Sequence, residues 1–391
     1  MYKKLVLITL SNVFVLGSDL SILHQEKQEI QNYKLQEIES SYQNEKYNWI
    51  NPLTLSISAN RNKSANSSAI DEKQNASIGM SQDIFRFGGI DYAISYANAN
   101  KEVKILNLEI ENATYFQQIY TAILTIKKLK LQLEQSQYRL KNNELDIFLK
   151  KEQYKKGIAD ITLLNNAIMS KNTELKNIIT IEQSITIQEK ELAKLTPLRY
   201  DKIAIPNFVF LEKENFLKSN YQINQASLET KATEAQLKIT NSNYLPHLTF
   251  NGEVGYQEYT HYYDGDYYNM GLKLSLPLDF NKKTTIEQSK IATLKQKVAL
   301  EDKKIEQLVN YEEIASNIKN YKEYQEITKR NIELYKEILD MTQKGFEAGY
   351  KTGYDLQIIQ NTQHIDTIEV NIYEMNIELE LIKLHYLAME G

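Results

Sequence analysis

The side chains of this 391-residue sequence show no spacing typical of catalysis or of metal binding. No nucleophile stands beside a base in a recognisable pattern, and no glycine-rich phosphate loop is evident. Cysteine is absent, so the chain has neither thiolate ligands nor disulfides. The five histidines lack metal-binding spacing; they are His24, His247, His261, His364 and His385. The sequence therefore predicts no catalytic residue, no cofactor and no metal site, and a protein that is not an enzyme.

Two glycine-centred segments are better suited to non-covalent contacts. Gly157 follows the stretch 90–156, and Gly349 lies five residues after the stretch 284–344; neither stretch contains glycine or proline. Such positions favour a left-handed helix cap, and a residue without a side chain lets another backbone approach closely. Asp355 follows the second glycine, in the first turn of the next predicted helix, where an acid is favourable.

The N-terminus has the pattern of an export signal. Lys3 and Lys4 precede an apolar run over residues 5–16, and Gly17 and Ser18 supply small residues for cleavage. We predict a signal peptide over residues 1–18 and a mature protein over 19–391. No other run approaches the roughly 20 apolar residues of a membrane-spanning helix, so any crossing of a membrane must use strands. The net charge of −5 gives no nucleic-acid footprint.

The sequence repeats itself once. Landmarks recur in the same order at nearly one spacing: Pro52 and Pro246 lie 194 residues apart, Ser81 and Ser275 lie 194 apart, and Gly157 and Gly349 lie 192 apart. We therefore divide the mature chain into repeat one, about 19–196, an equatorial segment, about 196–213, and repeat two, about 214–391.

Each repeat predicts the same series of elements. A helix ends before a proline, two strands with period-2 alternation follow, and a long helix then leads through glycine into a shorter helix. Strands are expected near 52–60, 76–87, 246–257 and 268–279, with polar loops over 60–75 and 257–267. Helices are expected over about 20–48, 90–156, 162–195, 214–242, 284–344 and 355–386. At 1.5 Å per residue the long helices measure roughly 100 Å, and the four shorter helices have lengths that allow end-to-end stacking beside them.

The predicted strands have the length that crosses a bilayer at a tilt. Trp49 precedes the first strand, and tyrosines cluster around one hairpin: Tyr256, Tyr259, Tyr262, Tyr263, Tyr267 and Tyr268. Aromatic residues at strand ends suit the two membrane interfaces, although a soluble sheet with tyrosine-rich loops has the same pattern. Four strands cannot close a barrel, and eight leave an interior filled by side chains. A conducting lumen therefore favours three copies over two.

Three segments of the sequence resemble the TolC family of outer-membrane efflux proteins. Residues 226–246 resemble the family's helix that enters a Leu-Pro strand start, 274–280 its strand exit, and 346–356 its second hairpin turn. The resemblance implies an α+β membrane protein: a homotrimeric TolC-like barrel with four transmembrane β-strands per chain and long coiled-coil-like periplasmic helices. It implies an outer-membrane channel subunit of a tripartite efflux or secretion system. The expected partners are a periplasmic adaptor protein, an inner-membrane pump of the RND, ABC or MFS type, and outer-membrane lipid, with no nucleic acid.

The resemblance also assigns roles to the two glycine segments. It implies that adaptor-docking tips are formed by Gly157, Ile158, Ala159, Asp160 and Thr162, and by Gly349, Tyr350, Lys351 and Thr352. Asp355 matches an acidic position that rings the closed aperture in many family members, with Lys351 as a candidate partner. Ile358 stands where some members carry a second acid, which places a double acidic ring in question. The alternative function is a non-channel periplasmic coiled-coil scaffold or adaptor protein built on the same long helices.

Overall fold

The computed structural model describes residues 20–63, 70–259 and 264–388. The predicted signal peptide lies outside these residues, as do His261, Tyr262 and Tyr263. The first half of the chain forms α1 (Gln25–Tyr47), β1 (Thr54–Lys63), β2 (Ile70–Phe85), α2 (Gly89–Lys155) and α3 (Ile161–Ala193). The second half forms α4 (Lys213–Ser219), α5 (Tyr221–Ser242), β3 (His247–Tyr259), β4 (Gly265–Ser275), α6 (Lys282–Glu347) and α7 (Gly353–Tyr386).

The prediction of two long helices is confirmed. α2 has 67 residues and α6 has 66. α1 and α5 both end a few residues before a proline, at Tyr47 and Ser242, as expected because proline disfavours helical backbone in the residue before it.

Two predictions about the loops and helices were wrong. The regions 60–75 and 257–267 were expected to be polar loops, but β1 continues to Lys63, β2 begins at Ile70, and β3 and β4 also extend into the region. Polar residues occupy these strand ends because the ladder pairs backbone groups whatever the side chain; Arg61 opposite Glu72 is one such pair, at 3.1 Å. The helix expected over 214–242 is broken at Asn220, whose backbone is extended with φ −63° and ψ 126°.

The four strands form an antiparallel sheet in chain order, β1-β2-β3-β4. Leu55, Ile78, Val254 and Tyr268 are paired in one row across the sheet, and all four are exposed. The row beside them, on the opposite face, holds Ser56, Ser77, Gly255 and Tyr267. The sheet thus has an apolar face, defined by the first row, and a polar face, defined by the second.

This alternation also divides the tyrosines of the predicted cluster. Tyr256 and Tyr268 lie on the apolar face, whereas Tyr259 and Tyr267 lie on the polar face, because residues one apart in a strand point to opposite sides. The hydroxyl of Tyr267 donates to Glu253 Oε1 at 2.6 Å and also lies 3.0 Å from Asn75 Oδ1. Tyr259 and Tyr267 therefore cannot belong to an aromatic band on the apolar face.

The chain divides into two compact units. The first contains the described residues up to Gln31, Glu109–Tyr221, and those from Ile305 onward. Its core includes Phe116, Ile119 and Ile123 of α2, which are almost fully buried, and a cluster formed by Phe216, Tyr311, Ile314, Ile318, Leu384 and Ala388. Within it the predicted equatorial segment packs through Phe208, whose ring meets that of Tyr120 at a centroid distance of 5.8 Å.

The second unit, Asn32–Leu108 with Gln222–Lys304, contains the sheet and the helical segments next to it. Ion pairs join α1 to α2, with Lys101 at 2.7 Å from Glu39 and Lys104 at 3.0 Å from Glu45. Such partly exposed pairs each contribute little to stability.

No helix in the described parts of the chain is both long and apolar enough to cross a membrane.

Candidate functional site

The first candidate site is the turn between α2 and α3. Gly157 has φ 70°, which is the left-handed conformation that a C-terminal cap requires. Its N–H donates to the carbonyl of Tyr154 at 2.9 Å, and the N–H of Ile158 donates to that of Gln153 at 2.9 Å. These bonds satisfy carbonyls that the end of a helix leaves free. They also reverse the chain within a few residues.

Asp160 then begins α3. Its carboxylate accepts the N–H of Thr162 at 3.0 Å and the hydroxyl of the same residue at 3.1 Å. These hydrogen bonds favour the charged form and lower the pKa of Asp160. Ile158 is 73% exposed at the apex. The first tip is therefore a hydrogen-bonded turn that presents an apolar side chain to its surroundings.

The turn between α6 and α7 repeats this geometry. Gly349 has φ 77°, and its N–H donates to the carbonyl of Phe346 at 3.0 Å. The N–H of Tyr350 donates to the carbonyl of Gly345 at 2.8 Å, as that of Ile158 does to Gln153. Tyr350 is 87% exposed. The second tip is thus a hydrogen-bonded turn with an exposed aromatic side chain at its apex.

Thr352 and Asp355 close the start of α7 with a reciprocal cap. The backbone N–H and the hydroxyl of Thr352 both donate to Asp355 Oδ2 at 2.8 Å, and the N–H of Asp355 donates to the Thr352 hydroxyl at 3.2 Å. Hydrogen bonding from Thr352, more than the charge of Lys351, lowers the pKa of Asp355. Asp355 is therefore ionised at neutral pH and held in a fixed orientation.

Lys351, predicted as the partner of Asp355, makes a different close contact. No ion pair within 4 Å joins these two side chains in the described chain. The stem of Lys351 lies beside Gly345, where an added Cβ would approach the lysine Cγ to 2.9 Å. Gly345 was not predicted from the sequence as part of the tip. The feature that could have revealed Gly345 is its position inside a helix. Glycine is unfavourable there and usually has a packing reason.

A seam between α2 and α7, here called the α2–α7 seam, connects the two tips within the first unit. Next to the tips, the rings of Phe148 and Tyr354 lie 4.8 Å apart between centroids. Farther along, Asn361 donates to Asn142 Oδ1 at 2.8 Å, and Gln135 donates to Glu369 Oε2 at 2.6 Å. This seam was not predicted from the sequence. Polar residues at contacts between helices have the same types and spacing as polar residues on solvent-exposed helix faces.

No group of acidic or histidine residues suited to a metal ion is found among the described residues. His24 contacts the carbonyl of Ala193 at 2.8 Å through Nε2, and His364 stacks on Tyr138 at a centroid distance of 5.2 Å. These two histidines have structural contacts.

The fold is that of TolC-like outer-membrane channels. It resembles the outer membrane protein VceC of Vibrio cholerae at 16% identity, covering 94% of this chain and 93% of that one, with a TM-score of 0.74. It also resembles the CmeC outer membrane channel of Campylobacter jejuni at 13% identity, with coverages of 95% and 85% and a TM-score of 0.73. A structure of the open state of the Neisseria gonorrhoeae MtrE outer membrane channel aligns at 14% identity, with coverages of 94% and 86% and a TM-score of 0.68.

The family model for outer membrane efflux proteins matches residues 30–196 and 214–364. The chain therefore belongs to the outer membrane efflux protein family, and it is an outer-membrane component of an efflux system. A direct comparison with curated protein sequences finds no match. Between them the two matched segments leave out residues 197–213, which lie within the equatorial segment expected from the sequence.

Proposed function

We propose that three copies of this chain form a passive duct across the outer membrane, opened by a periplasmic adaptor that binds the two tips. The adaptor connects the duct to an inner-membrane pump. The observation that carries this proposal is the sheet, which has an exposed apolar face, a polar face and two edges that pair with no described strand.

The apolar face fits a lipid environment. On β3 it extends from Leu248 to Tyr256, which is ~27 Å along the strand at ~3.4 Å per residue. Strand tilt shortens this to ~20 Å, close to the apolar band of about 25 Å in outer-membrane barrels. Above the band the same face becomes charged, with the ion pair of Arg61 and Glu72. An apolar surface of this extent needs to be covered, and hydrocarbon covers it without a protein partner.

The two open edges require more than one copy. β1 and β4 each have a neighbour on one side only within the described sheet. Pairing β4 of one copy with β1 of the next satisfies both edges, and three copies give twelve strands. Two copies would give eight strands, whose interior is filled with side chains. Three copies are therefore the smallest closed ring with an open lumen. The polar face then lines that lumen.

The tips are the docking surface for the adaptor. Ile158 and Tyr350 are exposed at two turns of matching backbone geometry, so one adaptor type can recognise both. Asp355 lies beside the second tip and forms the narrow acidic aperture in the closed duct, where three carboxylates near one axis attract cations and repel each other. The duct itself hydrolyses nothing, and the energy for transport comes from the pump.

Fractionation with electrophysiology tests the duct. We expect the protein in the outer membrane as heat-modifiable oligomers that conduct in planar bilayers. Val254→Arg on the apolar face should impair assembly, since arginine in the apolar band costs up to about 2–4 kcal/mol, the value at the bilayer midplane. Asn269→Arg on the polar face is the matched control and should assemble. Recovery of the unaltered protein in the soluble periplasm would contradict the duct and favour a scaffold.

Site-directed crosslinking tests the tips. Cysteines at Ile158 and Tyr350 should capture the cognate adaptor, whereas a cysteine at Ile187, an exposed residue of α3 away from the tips, should not. Equal capture at all three positions, or at none, would overturn the docking assignment without affecting the duct.

A further inference from the structure

The apolar row on β4 continues past the end of the strand. Alternate residues from Tyr268 to Leu274 are exposed on the apolar face, and Leu276, Leu278 and Phe280 continue the alternation after β4 ends at Ser275. Leu278 is 87% exposed and Phe280 is 105% exposed, the highest value for a large apolar side chain among the described residues. Exposing a full phenylalanine ring to water is unfavourable by about 1.5–3 kcal/mol relative to burial. This segment is therefore suited to hydrocarbon at the helix-side border of the membrane.

Positive charge follows this row directly. Lys282 and Lys283 are exposed, and the first turn of α6 contains no acidic residue. Neither lysine has an ion-pair partner within the described residues; Lys282 Nζ lies 3.5 Å from the carbonyl oxygen of Tyr244. The nearby acid, Asp279, accepts the backbone N–H of Asn281 at 2.8 Å. Two ammonium groups thus stand where the apolar row ends.

The equivalent corner of the first repeat is different. There Arg86 donates to Asn243 Oδ1 at 3.1 Å and lies 3.5 Å from Asp83, so its charge is already balanced. α2 also carries an acid, Asp91, in its first turn. The corner with two ammonium groups that form no ion pair among the described residues is therefore a property of the second repeat. The strand-to-helix turn itself does not require it.

We propose that Phe280, Lys282 and Lys283 bind an anionic phospholipid of the periplasmic leaflet, with the ring against the acyl chain and the ammonium groups on the phosphate. This rests on the proposed function, since the sheet must span the outer membrane. The combination of apolar body and cationic end matches the border between hydrocarbon and headgroups, and each lysine near an anionic surface contributes about 1 kcal/mol. A zwitterionic lipid carries no net charge to balance the two lysines.

Lipid retention in native mass spectrometry tests this site. Full-length protein in nanodiscs of mixed phosphatidylglycerol and phosphatidylcholine should retain phosphatidylglycerol preferentially. In the double variant K282Q/K283Q the preference for phosphatidylglycerol over phosphatidylcholine should fall about 25-fold, at about five-fold per lysine. K290Q/K295Q removes the same charge from exposed lysines farther along α6 and should retain the preference. A K282Q/K283Q protein that retains phosphatidylglycerol like the unaltered protein would overturn the proposal.

Two further results separate the possible sources of failure. If millimolar inorganic phosphate displaces the lipid signal, the corner is a general anion site and the lipid assignment is wrong. If the unaltered protein neither inserts nor conducts, the proposed duct fails together with the lipid site. Insertion and normal conductance with no difference between the double variants would reject the lipid site alone.

Discussion

Thr352 and Asp355 cap each other across the start of α7, with the Thr352 N–H and hydroxyl donating to one carboxylate oxygen of Asp355. Asp355, the acid that we propose for the aperture, thereby also stabilises the helix that positions it. A charge fixed in this way loses little rotamer freedom when three copies are brought together. The proposed gate residue and the start of α7 are therefore coupled through a single side chain.

Neutralising Asp355 should change the ion preference of the duct. We expect Asp355→Asn to lower cation selectivity and relieve cation block in planar bilayers, because the aperture loses three carboxylates. Asp160→Asn removes the same charge at the first tip, where asparagine still caps the helix, and should leave both properties unchanged. Unaltered selectivity in Asp355→Asn would show that this residue does not form the aperture.

Acidification should loosen the start of α7. The pKa of Asp355 is lowered from its ordinary value of 3.8 by hydrogen bonds from Thr352. Its contribution to stability is therefore complete above the ordinary value and is lost as the pH falls through the lowered pKa. Amide exchange at residues 353–357, corrected for intrinsic rates, should accelerate below about pH 4. In Asp355→Asn this pH dependence should vanish, and if it persists another group is responsible.

The Phe148–Tyr354 ring contact joins the helices that carry the two tips. Removing it should loosen the tips and make the proposed aperture easier to open. Phe148→Ala deletes the contact with Tyr354, which is worth about 0.5–1.5 kcal/mol beyond its buried area. Conductance without adaptor should rise. Tyr154→Ala removes a ring of similar exposure on the same helix that has no ring contact with any described residue, and it should have little effect. An equal rise in both variants would indicate general loosening of α2.

A side chain at Gly255 should disturb the sheet. An added Cβ would lie 2.7 Å from the carbonyl oxygen of Ala76, 2.8 Å from Ser77 Cβ and 2.9 Å from the ring of Tyr267. Gly255→Ala should therefore lower stability by about 1–3 kcal/mol, measured as the temperature at which the oligomer dissociates. At Gly271, on the neighbouring strand, an added Cβ meets nothing within 4 Å, so Gly271→Ala should be tolerated. Equal dissociation temperatures for the two variants would show that the sheet relaxes around Gly255.

The elements that depend on local chemistry were predictable from the sequence. Pro52 and Pro246 marked the helix ends, the glycines at 157 and 349 marked the tips, and the absence of both residue types marked the long helices. The strand ends were not predictable, because Arg61 and Glu72 look like loop residues and become strand residues only through pairing with each other. The break at Asn220 was also hidden, since neither proline nor glycine causes it.

The positions of the two turns were predictable, but the contacts around them were not. The backbone turn at Gly349 follows from the residue type, whereas the place of Lys351 depends on Gly345, one turn back in α6. The α2–α7 seam joins residues more than 200 positions apart, and its amide side chains are common on solvent-exposed helix faces as well. Only the three-dimensional packing distinguishes these two uses of the same residue types.

The open edges of the sheet have a consequence for assembly errors. Joining β4 to β1 of the next chain is a head-to-tail contact, and such contacts generate either a closed ring or an endless filament. The twist and curvature of each sheet decide whether a closed ring or a filament forms. A substitution that flattens the strands, far from either edge, is therefore expected to cause fibrous aggregation instead of simple loss of the oligomer.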